Sequence, residues 1–271
     1  MKKESLFLLL IFSVFNSHSQ ADSLNIFQIE YEKTLTFEDT KSFTTSYQLQ
    51  KYIEFEASIF DKISKSKTPN QLVNDDDDDA LFYYTPQGEN ISLVFKNYAN
   101  SKFYSKHAIA YKYFIVKDSL NIFNWNILDK TKEILGYICQ LATMEYRGRN
   151  YKAWFAADLP VGGPWKFDGL PGMILSINSD DSFLSFEALK IKSFKIKKTE
   201  KLYNPFEIKN AITWDAFKTL YKKKAIALAT YNPQEGNSGG MILSRGGIET
   251  YIEDDDTDYT ADKDLEKSKD N

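Results

Sequence analysis

Along most of the chain, apolar and polar residues alternate with a period of two, the pattern of strands with one face buried. Ile26 to Phe37 sets Phe27, Ile29 and Tyr31 on one side and Ile26, Gln28 and Glu30 on the other, then continues through Leu35 and Phe37. Tyr47 to Ile59 repeats the theme, and shorter strands are predicted at Ala80–Thr85, Ile91–Asn97, Lys102–Lys106, Tyr111–Val116 and Asn126–Leu128. Tyr137–Tyr146 and Tyr151–Ala157 flank Arg147-Gly148-Arg149-Asn150, whose Gly and Asn tolerate the positive φ of a tight turn. This predicts a hairpin in which Trp154 and Phe155 point to opposite faces. Successive short strands separated by turn residues imply an antiparallel sheet.

One segment changes period. Trp214, Phe217, Leu220 and Tyr221 recur at three- and four-residue spacing, Thr213 precedes them as an N-cap, and Lys222–Lys224 suit the negative end of a helix dipole. The predicted fold is mainly β with a minor α component: an antiparallel sheet and one covering helix.

The stretch GGPWKFDGLPGMILSI, residues 162–177, needs its own account. Pro160 and Pro164 remove backbone donors, so the chain does not run there as a central strand, while Gly162, Gly163, Gly169 and Gly172 admit positive φ or close backbone approach. Met173–Ile177 is strand-like, Asn178–Ser182 is a turn, and Phe183–Ile196 returns. The stretch is read as a bend feeding a hairpin. Trp165 and Phe167 are alternate residues that share a face on an extended segment, either stapling a corner or forming the lip of a pocket.

The ends of the chain bear on its compartment. Lys2 and Lys3, the apolar run Leu6–Ile11 and the small residues Ser17 and Ser19 follow the order of a secretory signal peptide cleaved after Ser19. The run is shorter than the ~20 apolar residues of a membrane span, and Cys139, the single cysteine, lies far from any lipidation position. The expectation is an exported protein, periplasmic or extracellular, with neither lipid anchor nor disulfide. Residues 20–245 then form one β domain. Acidic runs at Asp75–Asp79 and Glu253–Asp258 are read as solvated, and 246–271 as a disordered acidic tail.

Hydrophobic residues make up 42% and aromatics 15%, with Phe 20 and Tyr 17 against Trp 4, which suits packed β-structure. A formal charge of -4 gives no reason to expect nucleic acid. With the signal removed, His107 is the sole histidine, so any Ser-His or Cys-His nucleophile system must use it. A satisfied strand-end imidazole is the simpler reading, and Cys139 reads as packing. One His and one Cys are too few ligands for zinc, and no metal or cofactor site is expected. Arg147 and Arg149 are candidate anion contacts beside the solvated-turn reading. The stripe Lys190, Lys192, Lys195, Lys197 and Lys198 is read as an exposed face.

Residues 124–177 also carry a resemblance. Gly169-Leu170-Pro171-Gly172-Met173-Ile174, preceded by Gly136-Tyr137-Ile138-Cys139, Arg147-Gly148-Arg149, Ala153-Trp154-Phe155 and Pro164-Trp165-Lys166, resembles the core of the GLPGLI family of exported Bacteroidetes proteins, with Met173 in place of the usual Leu. The resemblance implies a protein of uncharacterised activity and a relation to the bowl-like, noncatalytic N-terminal domain of a bacterial peptide N-glycosidase. By analogy with the half-barrels of periplasmic lipoprotein carriers, the sheet is expected to be curved.

Three functions stay open. The first is a noncatalytic binding module for an apolar or peptide-like ligand, with Trp154, Trp165, Phe167 and Leu170 at its rim and Gly169, Pro171 and Gly172 setting the loop. The second is a structural or interaction role toward an envelope protein. The third is a hydrolase using Asp158, Asp168 and Glu187.

Overall fold

The computed structural model describes residues 23–36, 42–63, 93–110, 112–197, 204–229 and 247–252. The predicted signal peptide, the strand at Ala80–Thr85 and both acidic runs lie outside these residues. Among the described residues, twelve strands, β1 (Ser23–Thr36), β2 (Ser42–Tyr52), β3 (Ala57–Lys62), β4 (Val94–Asn97), β5 (Lys102–Ile109), β6 (Lys112–Ser119), β7 (Asn126–Ile134), β8 (Tyr137–Tyr146), β9 (Arg149–Ala156), β10 (Met173–Ser179), β11 (Leu184–Lys197) and β12 (Ile212–Thr213), precede the helix α1 (Trp214–Ala229). They form one open sheet in the order β12-β6-β5-β4-β3-β2-β1-β11-β10-β9-β8-β7. Every pairing is antiparallel except the short β12–β6 contact. Among the described residues, the mainly β class with a single α-helix is therefore as the periodicity predicts.

Strong curvature follows from contacts across the order of strands. Arg147, in the β8–β9 turn, ion-pairs with Asp118 on β6, yet β6 and β9 stand eight places apart. A flat sheet would separate them by ~38 Å at ~4.8 Å per strand. Irregular pairing at Glu30/Tyr31, between Ile174 and Ser176 and between Ile127 and Thr131 supplies bends along the strands. The enclosed side is filled by one apolar cluster to which β1, β2, β3, β4, β5 and β8 to β11 all contribute. A second cluster seats α1 through Phe217, Tyr221 and Ala225 on Ile109 and Val116. These three helix residues recur every four positions, the spacing of a buried stripe.

Three expectations change. Tyr47–Ile59 is not one strand: a 3-10 turn at Ile53–Phe55 and a left-handed Glu56 (φ 45°) separate β2 from β3. The β8–β9 turn contains Arg147 and Gly148 alone, both at positive φ, and Arg149 already pairs with Tyr146. A two-residue loop with positive φ at both positions matches the right-handed twist of the strands. Thr213 does cap α1, its Oγ1 accepting from the Ala216 amide at 3.3 Å. The helix nevertheless runs on to Ala229, so Lys222–Lys224 lie in its interior and not in its last turn.

The predicted tail boundary at Gly246 is also corrected. Ile252 packs in the helix-side cluster, and Glu249 is 2% exposed. The Thr250 amide donates to the Arg147 carbonyl at 3.1 Å, and Arg149 donates to the carbonyls of Gly247 and Ile248. Residues 247–252 are a docked segment because apolar Ile248, Tyr251 and Ile252 gain burial and Glu249 gains charged partners.

Candidate functional site

The loop from Ala157 to Gly172, between β9 and β10, makes two buried constructions. The first is a closed staple. Lys96 of β4 is fully buried, and its ammonium donates to the carbonyls of Gly163 (2.9 Å) and Phe167 (2.5 Å) and to Asp168 Oδ2 (2.9 Å). All three donors of an ammonium are thus used. Asp168 Oδ2 also accepts from Tyr98 Oη at 3.0 Å, its Oδ1 from the Gly169 amide at 2.9 Å, and its carbonyl from Trp125 Nε1 at 2.7 Å. Burial lowers the Lys96 pKa, against the pull of Asp168. Phe167 fills the space beneath, with ring centroids 4.8 Å from Tyr151 and 5.4 Å from Trp165.

Backbone geometry locks this staple. Gly169 sits at φ 86°, where a side chain is strained. At Gly172 the requirement is close approach: a Cβ there would lie 2.2 Å from the Ala156 carbonyl oxygen.

The second construction faces a cavity of about 260 Å³. Its apolar wall is Tyr47, Phe60, Phe186, Trp165 and Tyr251. Tyr47 and Phe60 stack at 5.1 Å, and Phe186 meets Phe60 edge-on at 5.8 Å. Trp165 is half-buried and holds φ 50°, a left-handed backbone that costs a non-glycine residue ~1–2 kcal/mol. For a bulky side chain this is an outlier, the kind of strain that clusters at ligand clamps.

Beside that wall lies a charged network. Lys166 Nζ meets Glu249 Oε2 at 2.5 Å and His107 Nε2 at 2.8 Å. Arg147 ion-pairs through its two terminal nitrogens with Glu249 and Asp118, and its guanidinium lies 3.5 Å over the Trp214 ring. Burial raises the Glu249 pKa, but Lys166, Arg147 and His107 together outweigh it and hold the carboxyl at about 2. Burial lowers Lys166 to about 8, partly offset by Glu249. His107 falls to about 3, first through burial and then through repulsion by Lys166.

The network is a poor catalytic device. Ser105 Oγ stands 3.1 Å from His107 Nε2, but the same nitrogen accepts from Lys166 and faces Glu249 at 3.9 Å. A nucleophile–base pair needs its orienting carboxylate on the other ring nitrogen. The ring is instead packed against Phe217 (4.8 Å) and Trp214 (5.8 Å). A base held near pKa 3 is also far from the neutral range in which proton abstraction is efficient.

The residues singled out in the sequence divide between these constructions. Trp165 lines the cavity, while Phe167 and Leu170 are buried in the main core. Trp154 faces Lys132, whose ammonium lies 4.6 Å over its ring, and it does not line the cavity. Pro171 is exposed. The anions held by Arg147 and Arg149 are the chain's own Glu249, Asp118 and Asp181. Asp158 and Glu187 are exposed whereas Asp168 is enclosed by Lys96, so the three carboxylates do not form one cleft. Among the described residues, no cluster of His, Cys, Asp and Glu is fit to hold a metal ion. Sequence reasoning passed over Lys33, Lys96, Lys166 and Glu249. The apolar spacing of Ile248, Tyr251 and Ile252 around Glu249 was the available signal for the last.

Comparison with known proteins yields distant structural similarity. Solved structures of PNGF-II in space groups P21 and C2 are similar at 15% and 16% identity over 74% of this chain, with TM-scores of 0.48 and 0.47. The alignments cover 34% and 32% of those chains, so this chain spans about a third of their length. A LolA superfamily protein from Nitrosomonas europaea is similar at 9% identity over 62% of this chain and 85% of its own, with a TM-score of 0.28. No protein-family model and no curated protein matches the chain.

Proposed function

We propose that the protein is a noncatalytic binding module, exported and related to GLPGLI-type proteins, whose cavity under Trp165 receives a small ligand with an apolar body. The observation that carries this reading is the strained Trp165 at the edge of an aromatic-walled space. A packed core has no need to hold an indole at positive φ next to empty volume. The cavity lies just below the ~300–1,000 Å³ range of drug-sized sites, which suits a small molecule or the tip of a longer one. The network of Lys166, His107 and Glu249 serves as a rigid polar wall. This refines the expected rim, since Trp165 contributes to the site while Phe167, Leu170, Gly169 and Gly172 hold the loop that carries it.

The test is native mass spectrometry of the mature chain isolated from its producing cells, followed by denaturing extraction. A small molecule retained at stoichiometric amount is the expected result. Empty protein, or protein carrying an envelope protein in its place, would contradict the reading. The exposed apolar residues of the β7–β8 edge, Ile127, Leu135 and Ile138 (64% exposed), favour that interaction role as the second reading.

A further inference from the structure

Three lysines, Lys33, Lys106 and Lys166, and one carboxylate, Glu249, line the cavity. Their existing contacts distinguish them. Lys166 is committed to Glu249 and His107. Lys106 leans on the Tyr113 ring at 4.7 Å. Lys33 stands on β1 beside the aromatic wall, half-buried, with its ammonium 5.7 Å from the centre of the Tyr47 ring. Among the described residues no carboxylate pairs with it, and the charge that acts on it is the like charge of Lys62. A cation partly withdrawn from water and facing an apolar space is costly until an anion joins it.

We infer that the cavity recognises a small molecule with one carboxylate on an apolar body, the carboxylate against Lys33 and the body between Tyr47, Phe60, Phe186 and Trp165. This rests on the binding-module reading and names its ligand class. A monoanion suits the site better than a phosphate. The Lys33 ammonium offsets one negative charge, whereas a phosphate group brings about 1.5 to 2, and Arg147 is already occupied by Glu249 and Asp118. A peptide C-terminus shares the carboxylate but brings further amide groups that need buried partners. A free acid with an aromatic or aliphatic body makes no such demand.

The experiment is isothermal titration of the full chain with 4-phenylbutyrate, 4-phenylbutanol and N-acetylphenylalanine. The acid is expected to bind about tenfold tighter than the alcohol, since a charge-assisted hydrogen bond contributes more than a neutral one. It is also expected to bind tighter than N-acetylphenylalanine; the reverse order would overturn the free-acid assignment in favour of a peptide terminus. Lys33→Met should abolish the preference for acid over alcohol while leaving alcohol binding in place. Equal affinity of acid and alcohol for the unaltered chain would overturn the inference while leaving the binding module standing, and that comparison does not depend on the variant. Binding by none of the three probes would overturn the inference together with the reading beneath it.

Discussion

Lys96 and Lys166 both meet a carboxylate in the interior, at 2.9 and 2.5 Å, and the loop supplies one partner to each pair. Their surroundings differ. Lys96 is ringed by two carbonyls and Asp168, and Asp168 in turn by Tyr98 and the Gly169 amide. Lys166 and Glu249 stand at the wall of a cavity, one residue from the strained Trp165. The comparison teaches that a buried lysine–carboxylate pair is not itself a mark of function. The closed pair fixes where the loop sits; the other pair walls a cavity.

The largest expected effect breaks the closed pair. Lys96→Ala leaves Asp168 buried without its cation and should cost about 3–5 kcal/mol, read as a lowered midpoint in urea denaturation. A loss below ~1 kcal/mol would mean that the staple does not organise the loop.

The cavity-side network should show itself in acid. His107 has a folded pKa of about 3 against an ordinary 6.5, so the unfolded chain binds the extra proton between those values. The His107 contribution is therefore complete above pH 6.5 and is lost as pH drops toward 3, with a limiting slope of ~1.4 kcal/mol per pH unit. Glu249, held at about 2 against 4.5, adds a loss of the same sign between pH 4.5 and 2. His107→Gln should flatten the decline between pH 6.5 and 4.5, where Glu249 does not yet contribute. Denaturation at pH 7.5, 6, 5 and 4.5 checks this, and matching curves for the two chains would show that His107 does not titrate as the network requires.

Gly172→Ala sets a methyl group against the Ala156 carbonyl and should cost about 1–3 kcal/mol through backbone displacement. An unchanged melting temperature would count against the close approach. Smallest is Lys152→Ala, which removes an exposed pair with Asp180 and should alter stability by no more than ~1 kcal/mol. A larger loss would show that surface pairs, and not only the enclosed ones, hold the sheet.

Much of the fold was legible because alternation reports burial directly: β1, β5, β8, β9 and β11 lie close to their predicted spans. The break after β2 was not, because Tyr52, Ile53 and Phe55 extend the apolar run and Glu56 adopts positive φ without a glycine to announce it. The end of α1 was hidden by Ala225–Ala229, which continues the helix past its lysines. Of the residues lining the cavity, the sequence singled out Trp165, as a rim residue, and His107, as the sole candidate imidazole. Lys96 and Asp168 are 72 residues apart, and Lys166 and Glu249 are 83 apart. No local pattern announces such a pairing, and Lys166 within GGPWKF reads as one more polar loop residue.

On the proposed function, Trp165 belongs to a binding site and Phe167 to the staple. The direct measurement is the equilibrium affinity of 4-phenylbutanol for the unaltered chain and for Trp165→Gly, with both melting curves recorded. Glycine relieves the positive φ while removing the indole. At least a tenfold loss of affinity with little change in melting temperature is the predicted result. Unchanged affinity, or a collapse in stability like that of Lys96→Ala, would contradict it.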